Sequence, residues 1–155
     1  MIERPWLVGL LVLAGVLTLL SAVAATAQEG VEFRDPLTNQ PLELRHRPDQ
    51  EITAAVEQFH QTGDNPYSGE EQAVAEGQRL YARWCQSCHL PDGSGRIGPS
   101  LIDDRWRYER TATDVGMFEI IYAGGAGAMQ AFGLRLDQDE ILKVMAHLEA
   151  LRTER

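Results

Sequence analysis

The chain has 155 residues, with 14 basic and 23 acidic side chains and a formal net charge of −9. That length suits one modest domain with an extension. So acidic a balance excludes a nucleic-acid binder, whose phosphate partner demands a basic patch, and fits a soluble protein that meets a basic partner surface.

The chain opens with a weakly basic Arg4, then an apolar run from Trp6 to Ala25, then the small residues of Ala25-Thr26-Ala27. This is the pattern of a secretory signal peptide cleaved after Ala27. The alternative is an uncleaved anchor, because the run approaches the shortest length that spans a bilayer. Removal of residues 1–27 takes away Glu3 together with Arg4, so the net charge stays −9. Any membrane association is expected only through this segment, and the mature protein is expected to be exported.

Residues 28–48 are polar and broken by Pro36, Pro41 and Pro48, which predicts an extended arm. A first helix is expected from about Asp49 or Glu51, with Ile52, Val56 and Phe59 on one face. Gly63-Asp64-Asn65-Pro66 should end it. Ser68 with Glu71 three residues on reads as a capping box for a second helix, with Val74, Gly77, Leu80, Tyr81 and Trp84 as its buried stripe. That helix runs into Cys85. Residues 90–110 lack a sustained period, and Asp92-Gly93-Ser94-Gly95 and Gly98-Pro99 mark a loop. Thr111 and Asp114 suggest another capping box, and Val115, Phe118 and Ile121 a short helical face. The run Gly124-Gly125-Ala126-Gly127-Ala128 breaks it. A last helix is capped by Asp137 with Glu140 and carries Ile141, Val144, Met145, Leu148 and Leu151. No strand pattern or internal repeat is visible, so the expected class is all-α.

The two cysteines stand in Cys85-Gln86-Ser87-Cys88-His89. Two thiols three apart can reach two vinyl groups on one edge of a porphyrin, and an imidazole on the next residue lies below the iron. This is the attachment signal for one covalent haem c. A zinc ribbon would need a second ligand pair, and there is no third cysteine. A thioredoxin-like pair wants a βαβ context, and a structural disulfide leaves His89 unexplained.

The iron's sixth position separates a carrier from an enzyme, and a methionine there raises the potential and fills the site. Met117, Met129 and Met145 lie downstream. Met145 falls on the apolar face of the last helix, as core packing would. Met117 lies within the short third helix, off the face of Val115 and Phe118. Met129 follows the glycine-rich loop, whose backbone can approach a flat ring closely, so Met129 is the expected ligand.

Residues 69–155 resemble class I cytochrome c. The resemblance rests on Gly77 and Tyr81 before the haem motif, Gly98-Pro99-Ser100-Leu101 after it, Met129-Gln130-Ala131-Phe132-Gly133, and the final helix. It implies that the Pro99 carbonyl orients the His89 imidazole. It also implies that Gly77 sits where the first and last core helices cross, with His147 in place of the usual aromatic partner. His147 is then a packed structural residue rather than a ligand. Gln130 replaces the proline that usually follows the methionine.

A narrower resemblance covers most of the mature chain. Thr62-Gly63-Asp64-Asn65-Pro66-Tyr67, Asp104-Arg105-Trp106-Arg107-Tyr108 and Thr113-Asp114-Val115-Gly116-Met117-Phe118 are similar to cytochrome cL. That family accepts electrons from a PQQ-dependent methanol (alcohol) dehydrogenase. The division implied is residues 1–27 as signal peptide, 28–68 as an N-terminal extension of arm plus one helix, and 69–155 as the cytochrome c domain.

The Trp106 indole N–H, with some of Arg105, Arg107 and Arg110, is a candidate donor to haem propionates; a solvated loop of alternating charge is the alternative. His46 and His60 lie outside the core and read as surface residues. Asp103 and Asp104 read as a solvated turn rather than a metal site.

The expected function is electron transfer, with no acid, base or nucleophile. Electrons would arrive from the dehydrogenase and leave to a downstream cytochrome or terminal oxidase. The alternatives are a generic carrier without a dedicated dehydrogenase and a haem enzyme or sensor with an open sixth site.

Overall fold

The computed structural model describes residues 30–45 and 50–153. The expected signal peptide, His46 and Asp49 lie outside the described residues. The helices are α1 (Ala54–Thr62), α2 (Glu71–Trp84), α3 (Gln86–His89), α4 (Asp114–Ala123) and α5 (Gln138–Thr153), with a 3-10 turn at Glu109–Ala112 before α4. Among the described residues there is no strand, only an isolated antiparallel bridge between Arg34 and Pro41.

The helix starts differ in part from the sequence expectation. Thr53 caps α1, so that helix begins at Ala54, later than Asp49 or Glu51. Glu70, not Ser68, caps α2, its carboxylate accepting from the Gln72 and Ala73 N–H groups at 3.2 and 2.6 Å. Gly69 at φ +73° turns the chain just before the helix, which leaves Ser68 outside reach of the first turn. Thr113 caps α4 by accepting from Gly116 N–H, whereas Thr111 is buried in the wall of the main cavity. The Asp137 box forms as read: Asp137 Oδ1 accepts from Glu140 N–H at 2.7 Å, and Glu140 Oε2 accepts from Asp137 N–H at 2.9 Å.

α2 and α5 form the main packing pair. They cross at Gly77, where an added Cβ would overlap the Lys143 carbonyl and come within 3.1 Å of the His147 Cβ. His147 is buried beside Tyr81, ring centroids 5.3 Å apart, which is the packed structural role expected of it. α4 is buried on nearly every side, from Gly116 to Tyr122, so its apolar residues do not sort onto the single face of Val115, Phe118 and Ile121. Its neighbours are α5, the 3-10 turn and the N-terminal arm.

The arm is not simply extended. Asp35 Oδ1 accepts from the Leu37 and Thr38 N–H groups, making a tight turn that returns the chain so Leu42 N–H bonds the Phe33 carbonyl. Phe33 then packs against Phe59 of α1 and Phe118 of α4, with centroids 5.7 and 5.5 Å away. A fully buried Phe contributes about 1.5–3 kcal/mol. The aromatic cluster therefore joins the arm, α1 and α4 into one core. Asn65 fastens the α1–α2 turn to α5: its side-chain amide donates to the Leu142 carbonyl at 2.8 Å, and its backbone N–H donates to Asp114 Oδ2. His60 is half-buried against Phe33 and lies 2.7 Å from Gln138 Oε1, so it is not the surface residue that its position suggested. Packing of the arm covers it.

Candidate haem site

Cys85 ends α2 and starts α3, its N–H bonding the Tyr81 carbonyl. The next turn places Cys88 and His89 on one side, both N–H groups bonding the Cys85 carbonyl at 3.1 and 3.0 Å. The loop after the motif folds back on it. Gly95 N–H bonds the His89 carbonyl, and the Ile97 and Gly98 N–H groups both bond the Cys88 carbonyl. Tyr81 donates its hydroxyl to the Leu90 carbonyl at 2.7 Å, holding Leu90 at φ +65°, a region that L residues avoid.

His89 is buried, and its Nδ1 lies 2.9 Å from the Pro99 carbonyl oxygen. A carbonyl can only accept, so Nδ1 carries the proton and Nε2 keeps its lone pair. Gly98 makes this approach possible: any Cβ there would run into the imidazole itself. The structure thus brings Pro99 and His89 together, and the sequence had not revealed why a glycine precedes the proline.

These residues face a cavity of about 390 Å³. Cys85, Cys88 and His89 line one side, with Tyr81, Trp84 and Pro99; Met117, Ile120, Ile121, Phe132, Val144 and Leu148 supply apolar walls. Met129 is also in the wall. The glycine loop brings it there: Gly124 at φ +86° lies so close to residues 129–131 that a Cβ would sit 2.8–2.9 Å from their backbone. Gly125 N–H bonds the Met129 carbonyl, and Phe132 and Gly133 N–H bond the last turn of α4. Met145 is in the helix core, as expected. Met117, though inside α4, reaches the same cavity as Met129, so the structure brings two methionines to the site rather than one.

Trp106, Arg105 and Arg107 line the cavity as well. The Arg152 guanidinium covers the Trp106 ring at 4.9 Å. Arg110 does not join them. It turns away to the buried Glu119, Nε to Oε2 at 2.6 Å, and to the Glu32 carbonyl on the arm. A buried carboxylate in α4 outcompetes the cavity for that guanidinium, and nothing in the local pattern marked Glu119 as buried. Asp103 pairs with Arg105 at 3.6 Å and Asp104 with Arg152 at 3.0 Å. Among the described residues no group of His, Cys, Asp and Glu is arranged to hold a bare metal ion.

The residues present fit a haem. The cavity has the size of a small-molecule site and a mostly apolar wall. Both sulfurs and one oriented imidazole lie on one side of it. Burial, and then the neighbouring Cys88, push the Cys85 thiol up to about 12, so the sulfur enters this apolar setting uncharged.

Residues 72–148 match the family described as Cytochrome C oxidase, cbb3-type, subunit III. Cytochrome c-L of Methylorubrum extorquens is 34% identical over 145 residues, 92% of this chain and 74% of the relative. The cbb3-type cytochrome c oxidase subunit FixP of Bradyrhizobium diazoefficiens is 30% identical over 81 residues, half of this chain and 27% of that protein. Among solved structures, cytochrome cL from the marine methylotroph Methylophaga aminisulfidivorans superposes with a TM-score of 0.75 at 37% identity, covering 77% of this chain and 80% of its own. Cytochrome cL from Hyphomicrobium denitrificans gives a TM-score of 0.73 at 35% identity, covering 77% and 72%. The chain therefore belongs to the cytochrome cL family: it has the class I cytochrome c fold, binds one covalent haem c and is an electron carrier.

Proposed function

We propose that this protein is a periplasmic carrier that accepts electrons from a PQQ-dependent methanol or alcohol dehydrogenase and passes them to a downstream cytochrome or terminal oxidase. In this reading residues 1–27 are a cleaved export signal, residues 28–68 the extension and residues 69–155 the electron-carrying domain. Haem, when bound, supplies a one-electron couple. Cys85 and Cys88 would hold it by thioether bonds, and His89 Nε2 and Met129 would supply its iron ligands. The observation that carries the assignment is the His89 Nδ1 to Pro99 bond at 2.9 Å, which leaves the imidazole Nε2 with its lone pair in a cavity that Cys85 and Cys88 also line.

The chain's own residues do three things there. Pro99 fixes the imidazole tautomer and orientation. The apolar wall of α4 and α5 excludes water, which favours the less charged oxidation state. Trp106, with Arg105 and Arg107, offers donors to the propionates at the cavity edge.

The dehydrogenase rests on similarity to cytochrome cL and on the docked arm, which a minimal cytochrome does not need. Residues 28–68 carry 8 acids against 3 bases, a net −5 that suits a basic docking surface on the donor. The test is stopped-flow reduction of the oxidised holoprotein by reduced dehydrogenase over a salt series. Reduction should be fastest at low ionic strength and fall as salt screens the attraction. A rate no faster than that of an unrelated acidic cytochrome would remove the dedicated partner.

A further inference from the structure

Tyr122 ties the end of the N-terminal arm to the stretch that carries Met129. It is buried in the last turn of α4, its ring stacked on Phe118 with centroids 5.7 Å apart. Its hydroxyl accepts from the Arg45 N–H at 2.7 Å and donates to the Arg45 carbonyl at 3.3 Å. A phenol can do both at once, so one side chain serves both backbone groups of one arm residue. The same ring lies against Gly133, where a Cβ would come 2.6–2.8 Å from three ring atoms. Gly133 N–H bonds the Tyr122 carbonyl and Phe132 N–H the Ile121 carbonyl, both at 3.0 Å. Leu42 and Leu44 of the arm pack on the core that contains Phe118 and Tyr122.

We propose that the arm, acting through Tyr122, holds the Met129 stretch in the cavity wall, which makes Tyr122 a positioning residue for the sixth ligand. This rests on the Met129 assignment given above. Residues 125–130 and Phe132 line the cavity, whereas Tyr122 does not, so it acts through the backbone of Phe132 and Gly133. The glycines ahead of Met129 let the chain approach closely but give the stretch little packing of its own. Ala126, Gly127 and Ala128 are exposed, and a Cβ on Gly127 would meet open space. Two tyrosines supply the restraint instead. The Tyr108 hydroxyl accepts from the Ala126 N–H at 2.9 Å ahead of the methionine, and Tyr122 fixes the chain behind it. The contact at Gly133 has no slack, and a close-packed interior transmits a ring displacement to its neighbour.

The experiment uses the oxidised holoprotein and two readouts. One is the affinity for added imidazole, which competes with a methionine for ferric iron and so reports how firmly the Met129 stretch is held. The other is hydrogen exchange at the Phe132 and Gly133 amides. Tyr122→Phe removes both bonds to Arg45 and keeps the ring on Gly133. Arg45 is exposed, so water can take the place of the hydroxyl and the variant should fold. Imidazole should bind it about three- to tenfold more tightly, the range expected for a lost hydrogen bond, and both amides should exchange faster. Linkage also requires the reverse effect: saturating imidazole should speed exchange of the Arg45 amide in the parent and leave it unchanged in Tyr122→Phe.

Gly133→Ala breaks the link from the other side, by driving a Cβ into the Tyr122 ring. In that background Tyr122→Phe should have little further effect on imidazole binding, because the route from arm to methionine is already cut. Additive effects of the two substitutions would overturn the proposal, as would parent-like imidazole affinity and amide exchange in Tyr122→Phe. Asp139→Asn, which weakens the fold away from Tyr122, should keep the parent's imidazole affinity; equal tightening there would assign the effect to general destabilisation and likewise overturn it. If Met129→Ala keeps the methionine–iron charge-transfer band, the ligand assignment fails, while exchange at Phe132, Gly133 and Arg45 still decides whether the arm holds this stretch.

Discussion

Arg110 and Glu119 form a two-bonded ion pair, Nε to Oε2 at 2.6 Å and NH2 to Oε1 at 2.8 Å, and the Glu119 side chain is only 1% exposed. Glu119 Oε1 also accepts from the Arg34 N–H at 2.7 Å, and Arg110 reaches the Glu32 carbonyl. One buried carboxylate thus latches the N-terminal arm to α4, the helix that carries Met117 and Ile120 into the cavity wall. The pair, and after it burial, act on Arg110 with a net upward shift, so it stays charged throughout the working range.

Arg110→Ala leaves that carboxylate buried without its cation. Breaking such a pair from one side typically costs about 3–5 kcal/mol; the half-exposed arginine places the expected loss near the lower end. Denaturant unfolding of the holoprotein measures it, and limited proteolysis should cut residues 30–45 faster. A loss under about 1 kcal/mol would mean that water replaces the guanidinium without penalty.

Gly98→Ala should displace the His89 ring, because the new Cβ would occupy the space of the imidazole. The bond to Pro99 would break, and with it the control of tautomer. The expected outcome is a lower yield of haem-loaded protein and an altered spectrum in what remains. Full loading with an unchanged spectrum would show that the ring has room to move.

Met129→Ala should abolish the methionine–iron charge-transfer band and lower the reduction potential, since a ligand that favours ferrous iron is lost. Met117→Ala should keep the band, although Met117 lines the same cavity. The opposite pattern in the two oxidised spectra would transfer the ligand role to Met117.

Asp139 gives the fold an acid limit. Burial raises its pKa, but Lys143 at 2.8 Å, Tyr67 at 2.6 Å and Thr53 at 2.7 Å outweigh burial and leave it below the usual carboxylate value. A carboxyl depressed in the folded state stabilises fully above its unfolded value of about 3.9, and this is lost as pH falls through the folded value. Asp139→Asn should therefore destabilise the protein near neutral pH and flatten the stability curve below about pH 4. Denaturant midpoints measured across that range test it; parallel curves for parent and variant would assign the acid limit to other groups.

Local chemistry alone made several features legible. Cys85, Cys88 and His89 are adjacent in the chain, so their spacing states their purpose directly. The Asp137–Glu140 box and the Gly63 stop are likewise local, since a cap or a left-handed turn is decided within four residues. That Met129 reaches the cavity wall was legible because a glycine-rich loop precedes it and a close backbone approach needs those glycines. What the sequence could not reveal depends on groups far apart in the chain. Arg110 sits in a run of arginines that all look available to the cavity, yet Glu119 claims it because folding buries that acid. His60 looked exposed until Phe33 and Gln138 covered it. Ser68 satisfied the usual capping preference, but the turn at Gly69 gave the role to Glu70. The place of single charges was hidden for the same reason: Arg83 and Arg135 are separated by 52 positions, and only tertiary packing brings both guanidiniums over the Trp84 ring. Composition reports the sum of the charges, whereas their effect on a partner depends on distance, which the fold alone sets.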